Sequence, residues 1–130
     1  MIALDYVVVL VYKVVAMTDQ IYLGEFEQLV LLAVLRAAQG GATASGVAIA
    51  RELEQQAARR VSRGALYTTL DRLDGKGLLR WRIAPGGADR GALPRRAYTV
   101  TARGTEALRE SQRTLQRMWR GLGQVLKERP

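Results

Sequence analysis

Residues 61–100 read VSRGALYTTLDRLDGKGLLRWRIAPGGADRGALPRRAYTV, and this stretch decides the fold. Ser62 is a good helix N-cap, because its hydroxyl can accept a hydrogen bond from an unpaired backbone N–H of the first turn. Leu66, Leu70 and Leu73 then recur at the spacing of one helical face, and the glycines that follow end the helix. The stretch therefore predicts an amphipathic recognition helix whose leucines face the core.

The other side of this helix carries small and polar residues, which let a helix approach a DNA groove closely. Ser62 and Arg63 can reach phosphates, and Gly64 adds no side chain to the front. Tyr67 and Thr68 can reach base edges or phosphates. These five residues form the predicted DNA-reading set of the helix.

A strand, a loop and a second strand follow the recognition helix. Residues 79–83 alternate apolar side chains with Arg80 and Arg82, which is the periodicity of a strand with one solvent-exposed, basic face. Proline and glycine break residues 84–94, and residues 97–100 return as the partner strand. A helix followed by such a hairpin predicts a winged helix.

Two helices are predicted ahead of the recognition helix. Residues 24–41 are apolar on nearly every side, which is typical of a helix buried at the centre of a core. Ser45 is the predicted N-cap of a second helix over residues 46–56, whose charged residues form a solvated face. Only a short linker separates this helix from Ser62. Two helices joined in this way, the second with a slim polar front, indicate a helix-turn-helix.

Positive charge is concentrated in this part of the chain. Residues 59–96 contain ten Arg or Lys and three Asp, whereas the first 58 residues carry three basic and six acidic side chains. The net charge of +8 and the pI near 10.6 favour a polyanionic partner. The hairpin arginines are predicted to contact phosphate, with surface solubility as the alternative role. They are Arg80, Arg82, Arg90, Arg95 and Arg96.

Thr101 is the predicted N-cap of a long last helix that runs to about residue 126. Apolar residues recur along it at alternating steps of three and four, which is the spacing of a coiled-coil seam. The seam predicts that residues 101–130 form a dimerisation helix, and folding back onto the helix's own domain is the alternative. The predicted interface residues are Leu108, Leu115, Met118, Trp119, Leu122 and Val125.

Residues 1–16 stand apart from the predicted winged helix-turn-helix domain, which spans residues 17–100. Seven apolar residues lie between Asp5 and Lys13, whereas a membrane-spanning helix needs about 20. No basic region precedes them, so the pattern also disfavours a signal peptide. Two interpretations stay open. Either translation begins at Met17 and these residues are an upstream extension, or they add a strand or helix to the domain.

The composition excludes several kinds of chemistry. The chain has no Cys and no His, which excludes disulfides, thiol catalysis, His-dependent triads and His-containing zinc sites. None of the motifs GxxxxGK[ST], HExxH or GxSxG occurs. Asp71 and Asp74 are close in sequence, but their spacing fits a solvated helix edge. We therefore expect a cytoplasmic protein that is not an enzyme, uses no cofactor or metal, and has no membrane partner.

Three stretches carry a family resemblance: LGEFEQLVLLAVL (23–35), VSRGALYTTLDRLDGKGLL (61–79) and RRAYTVTARGTEAL (95–108). Together they resemble the PadR-like winged-helix transcriptional regulators, over roughly residues 22–122. The resemblance implies a dimeric bacterial regulator on a palindromic operator, with the third helix in the major groove and the wing on the flanking backbone. The C-terminal helix would hold the dimer, and a single such helix is similar to the compact members of the family.

Two functions remain open from the sequence. The first is a sequence-specific DNA-binding regulator, expected to be a repressor, whose partners are double-stranded DNA and a second copy of the chain. The alternative is a winged-helix module that binds an acidic protein. Trp119 lies at the edge of the seam, so it is either ordinary interface packing or one wall of a cavity for a small hydrophobic or aromatic effector.

Overall fold

The computed structural model describes residues 22–84 and 95–127. Within these ranges the chain is mostly helical and has one two-stranded antiparallel sheet, which confirms the predicted fold class. In chain order the elements are α1 (Glu25–Ala37), a 3-10 turn (Gln39–Gly41), α2 (Gly46–Ala57), α3 (Arg63–Gly75), β1 (Leu79–Ile83), β2 (Arg96–Val100), α4 (Ala102–Trp119) and α5 (Gly123–Lys127). The predictions for residues 1–16 and for Arg90 lie outside the described residues. No helix in the described ranges is long and apolar enough to cross a membrane.

The first helix, α1, forms the centre of the core and packs against α2, α3, β2 and α4. Its buried residues are Val30, Leu31, Ala33, Val34 and Ala37. The sequence predicted burial on nearly every side, but Leu32 and Leu35 are 43% and 42% exposed. The helix is therefore central on one face only.

The predicted recognition helix, α3, packs with its leucines inward, as predicted. Leu66 is 2% exposed, and Leu70 and Leu73 are 0% exposed. The Ser62 hydroxyl accepts a hydrogen bond from the backbone N–H of Ala65 at 3.1 Å, which confirms the predicted N-cap. Ser45 and Thr101 cap α2 and α4 in the same way, so all three predicted caps are confirmed.

Two carboxylates at the start of α1 pair with basic residues on either side of α3. Glu25 pairs with Arg59 ahead of α3, and the Glu27 carboxylate lies 2.8 Å from the Lys76 ammonium just after it. Burial tends to raise the pKa of Glu27, but hydrogen bonds from Lys76 and from the Gly24 backbone N–H, together with nearby positive charge, bring that pKa below its usual value. The two pairs link the start of α1 to the segments that precede and follow α3.

The hairpin is held by the pairing of its two strands and by a backbone hydrogen bond to the segment between α1 and α2. The register pairs Leu79 with Val100 and Trp81 with Tyr98. The backbone N–H of Tyr98 also donates to the carbonyl oxygen of Ala44 at 2.9 Å, in the connection between α1 and α2. This second contact holds the base of the wing against the helix-turn-helix.

The helix α4 begins directly against the turn between α3 and β1. The Thr101 hydroxyl donates to the carbonyl oxygen of Gly77 at 2.7 Å, and the Thr101 backbone N–H donates to that of Leu78 at 3.1 Å. Gly104, on the first turn of α4, is buried. Leu108, one turn further on, packs against the core of its own domain. Leu108 therefore contacts the core of its own domain, and its predicted place in the dimer interface stays a prediction.

The last helix is shorter than predicted. It ends at Trp119, and a separate short helix begins at Gly123. Between them Gly121 has a φ of +82°, a left-handed conformation that interrupts a helix and that glycine adopts readily. The prediction of one helix to residue 126 is therefore wrong, although an exposed apolar row runs across the break. The row consists of Leu115, Met118, Trp119, Leu122, Val125 and Leu126.

Candidate nucleic-acid interface

A concave surface of about 560 Å³ lies where α2, α3 and the hairpin meet. We call it the interface groove. The start of α2, the outer side of α3 and the first residues of the returning strand form its walls, with the lining residues Ser45, Gly46, Val47, Arg63, Tyr67, Asp71, Arg95 and Arg96. The groove thus brings together four members of the predicted DNA-binding set, namely Arg63, Tyr67, Arg95 and Arg96.

The front of α3 beside the groove is open. Arg63, Gly64 and Thr68 are exposed, and no atom lies within 4 Å of a Cβ atom placed on Gly64. Ser62 is exposed as well, although its hydroxyl oxygen already accepts the N-cap hydrogen bond. These four predicted residues therefore form the kind of slim, accessible surface that insertion into a DNA groove requires.

Tyr67 packs across the start of α2 and is partly buried. A Cβ atom on Gly46 would lie 2.5 Å from the Tyr67 hydroxyl oxygen and 3.1 Å from Cζ. Glycine at position 46 therefore leaves the space that the tyrosine ring occupies. Tyr67 joins α3 to α2 while it lines the groove, a packing role that helical spacing alone did not indicate.

Arg96 bridges the hairpin and α3. Its Nη1 atom lies 3.4 Å from Oδ1 of Asp71, and its Cζ atom lies 4.1 Å from the centroid of the Trp81 ring. The two side chains of the ion pair stay partly accessible, at 39% for Arg96 and 64% for Asp71. The guanidinium of Arg96 therefore has partners within the chain, and its predicted contact with phosphate stays a prediction.

Tyr98 is buried on the strand that carries Arg96. No hydrogen bond of ordinary geometry to its hydroxyl is found among the described residues, although the Arg96 guanidinium lies close to it. Burial raises the pKa of Tyr98, and the nearby Arg96 only partly offsets that effect. Tyr98 therefore remains a neutral phenol at physiological pH and adds no negative charge beside the groove.

Arg80 and Arg82 lie on the opposite face of the hairpin from Arg96. The register pairs Arg80 with Thr99 and Arg82 with Ala97, and successive residues of a strand point to opposite faces. Both arginines are exposed, but neither lines the interface groove. Their contact with phosphate stays a prediction, as does that of Arg90.

Four lining residues were absent from the predicted set: Ser45, Gly46, Val47 and Asp71. From the sequence, Ser45 was interpreted as a cap, and Asp71 as a residue on the outer side of α3 that belongs to a solvated helix edge. Glycine at position 46 was the available signal, because a residue without a side chain allows another group to approach the backbone closely. That signal does not identify Tyr67 as the residue in contact.

Comparisons with known proteins agree with this geometry. Residues 31–110 match the family described as the Transcriptional regulator PadR-like family. A PadR family transcriptional regulator from Eggerthella lenta DSM 2243 is similar in structure, with 25% identity, coverage of 99% of this chain and 100% of that chain, and a TM-score of 0.57. A PadR family transcription regulator from Clostridium difficile R20291 has 18% identity, coverage of 79% and 99%, and a TM-score of 0.62. RosR of H. salinarum has 26% identity, coverage of 79% and 83%, and a TM-score of 0.59. No protein with a curated functional description matches the chain.

Proposed function

The chain belongs to the PadR-like family of transcriptional regulators, which are DNA-binding proteins and not enzymes, and from this premise we propose that it is a dimeric repressor acting on a palindromic operator. The interface groove carries the proposal, because the outer side of α3 and basic residues of the hairpin share one concave surface. This arrangement allows a helix to read base edges while a wing contacts the backbone.

In this proposal α3 enters the major groove. Thr68, which is exposed on the second turn, contacts base edges, and Tyr67 offers its hydroxyl from the wall of the groove. Ser62, Arg63 and Gly64 form the N-terminal end of this surface. There the Arg63 guanidinium reaches a phosphate, and the bare front at Gly64 allows the helix to lie close to the DNA.

The wing supplies contacts to the sugar–phosphate backbone. Arg95 is exposed and lines the interface groove, so it is the hairpin residue best placed to contact the phosphate next to α3. Arg80, Arg82 and Arg90 are proposed to contact phosphate from other parts of the wing. Such contacts supply salt-dependent affinity and carry no sequence information.

A second copy of the chain is proposed to cover the apolar row on α4 and α5. Leu115 and Leu122 are 47% and 46% exposed, and Met118 is 71% exposed. An exposed apolar row of this length is unfavourable in water, and a self-complementary two-fold contact buries it on both copies at once. Two α3 helices would then meet half-sites about 10 bp apart, which is why the operator is expected to be palindromic.

The same row offers a place for a small hydrophobic or aromatic effector. Trp119 is 52% exposed, and a mostly apolar cleft of about 160 Å³ between the start of α1 and the middle of α4 reaches the row at Leu115. A ligand that binds one arrangement of the two copies more tightly than another shifts the population toward that arrangement. Ordinary interface packing of Trp119 is the alternative.

A module that binds an acidic protein is the second candidate function. The exposed Arg80 and Arg82, which lie outside the interface groove, favour it because they form a basic face that the helix-turn-helix does not use. The two functions predict different DNA binding. A repressor needs a specific sequence, whereas a basic protein-binding face meets duplexes of any sequence weakly.

Selection of bound sequences from random duplexes tests the proposal. We expect enrichment of a two-fold symmetric site with half-sites about one helical turn apart. Binding to the selected site should survive competitor DNA, and log K should fall steeply with log salt concentration because counterions are released. Weak binding without enrichment of any sequence would contradict the repressor and favour the acidic-protein module.

A further inference from the structure

We propose that Arg96 is a positioning residue whose guanidinium, held between Trp81 and Asp71, braces the base of the wing against α3 and leaves the phosphate contact to Arg95. The inference rests on the proposed function, because it concerns how the DNA-binding surface is held in shape. It separates two neighbouring arginines that the sequence treats alike.

Trp81 holds Arg96 from the hairpin side. Trp81 pairs with Tyr98 and Arg96 pairs with Ile83, so Trp81 and Arg96 are diagonal neighbours on one face of the sheet. The distance of 4.1 Å from the guanidinium carbon to the ring centroid lies well inside the cation–π limit of about 6 Å. A planar guanidinium can stack on an indole and still donate from its edge, which a lysine ammonium cannot do.

Asp71 holds Arg96 from the side of α3. The 3.4 Å contact between Arg96 Nη1 and Asp71 Oδ1 joins residues that are 25 positions apart. A carboxylate in the wall of a DNA-binding groove repels phosphate unless a cation compensates for it. Pairing with Arg96 supplies that cation, and in doing so it uses the charge of Arg96 within the protein.

Arg95 is placed differently from its neighbour. It directly precedes β2, is exposed, and lines the same groove. Arg95 is the next residue along the backbone, so a brace that holds Arg96 also holds the backbone of Arg95 at the edge of the groove. The brace thereby sets the distance between the phosphate that Arg95 contacts and the bases that α3 reads.

The salt dependence of operator binding separates a brace from a phosphate contact. Arg95→Ala should reduce the slope of log K against log salt by about one unit per lost contact, or about two units per dimer. Arg96→Ala should weaken operator binding about tenfold while the slope stays that of the wild type. Arg96→Lys keeps the charge but loses the stacked geometry, so it should resemble Arg96→Ala.

The effect of Asp71→Asn on operator affinity has opposite signs for the two roles of Arg96, a brace or a phosphate contact. If Asp71 anchors the brace, removing its charge weakens operator binding. If Arg96 simply contacts phosphate, removing the carboxylate strengthens binding, because one repulsive charge is gone. Tighter binding by Asp71→Asn, wild-type affinity of Arg96→Lys, or a reduced salt slope for Arg96→Ala would each overturn the proposal.

The emission of Trp81 tests the brace without DNA. The chain has two tryptophans, so a Trp119→Phe background leaves Trp81 as the only tryptophan whose emission is followed. Arg96→Ala and Asp71→Asn should each change that emission, and Arg95→Ala should leave it unchanged. A responsive Trp81 in a protein that selects no duplex would keep the brace and remove the proposed function. An unresponsive Trp81 in a protein that binds its operator would remove the brace alone.

Discussion

A Cβ atom on Gly104 would overlap the backbone carbonyl oxygen of Leu78 and would lie 2.8 Å from a methyl carbon of Val100. The first turn of α4 therefore packs directly on the backbone at the start of β1. The same carbonyl oxygen accepts a hydrogen bond from the Thr101 N–H at 3.1 Å, so it is held in place and cannot move aside freely.

Gly104→Ala should therefore destabilise the protein by about 1–3 kcal/mol, the usual cost of overpacking a filled interior. Gly64→Ala is the matched control, because Gly64 also lies in a helix but has nothing within 4 Å of its Cβ position. That control should be neutral or more stable by up to about 1 kcal/mol. Urea unfolding of both variants gives the comparison, and equal stability for the two would contradict the close packing.

The two sides of α3 should respond differently to substitution. Leu70→Ala should cost about 2–5 kcal/mol of stability, because Leu70 is 0% exposed and its removal leaves a cavity. Thr68→Ala, on the exposed side, should leave the melting temperature unchanged and lower the affinity for the selected duplex. Parallel thermal melts and binding titrations measure both effects. A folded Tyr67→Ala/Thr68→Ala double variant with full operator affinity would show that another element reads the DNA.

Stability should depend on the ionisation of Glu27. Its pKa is lowered in the folded protein by Lys76, so the stabilisation is present above the ordinary carboxyl pKa and is lost as the pH falls through the lowered value. At neutral pH Glu27→Gln should reduce the free energy of unfolding by about 1 kcal/mol, and the difference from wild type should shrink at pH 3. Glu54→Gln is the control, because its partner Arg60 lies 3.4 Å away on a side chain that is 90% exposed. Urea unfolding at the two pH values tests this. If the difference in the free energy of unfolding between wild type and Glu27→Gln grows at low pH, the predicted direction is wrong.

The apolar row of α4 and α5 should drive dimerisation. Sedimentation of the free protein at micromolar concentration should give a dimer, and Met118→Glu should shift it to monomer because it places a charge in the proposed contact. Gln116→Glu, on α4 but outside the row, adds the same single negative charge and controls for a general effect of charge. A wild-type monomer at this concentration would end the proposal of a two-fold assembly.

The emission of Trp119 should report the binding of an effector between the two copies. Hydrophobic aromatic ligands should quench tryptophan emission in the wild type and fail to do so in Trp119→Phe, where Trp81 remains as the internal reference. The same ligands should change operator affinity. Quenching that persists in Trp119→Phe would place the ligand elsewhere and leave the dimer proposal intact.

Local patterns predicted the features that depend on neighbours along the chain. The capping serines and the inward leucines of α3 follow from side-chain chemistry within one or two helical turns, and both are confirmed. The sequence pattern did not predict the break at Gly121. Two nearby glycines lower helix stability, but their presence alone does not show whether the helix continues or ends there. The sequence also could not pair Arg96 with Asp71 or Tyr67 with Gly46, since each contact joins elements whose relative placement only the folded core determines.

The separation of core residues from exposed residues on α3 has a consequence for how DNA preferences diverge among related regulators. The residues that hold this helix in the core, Leu66, Leu70 and Leu73, are distinct from the exposed Arg63, Gly64 and Thr68. If α3 reads the operator as proposed, a substitution at the exposed Thr68 changes the preferred DNA sequence while the fold retains its stability. Tyr67 and Asp71 are more constrained than Thr68, because each contacts a partner on another element.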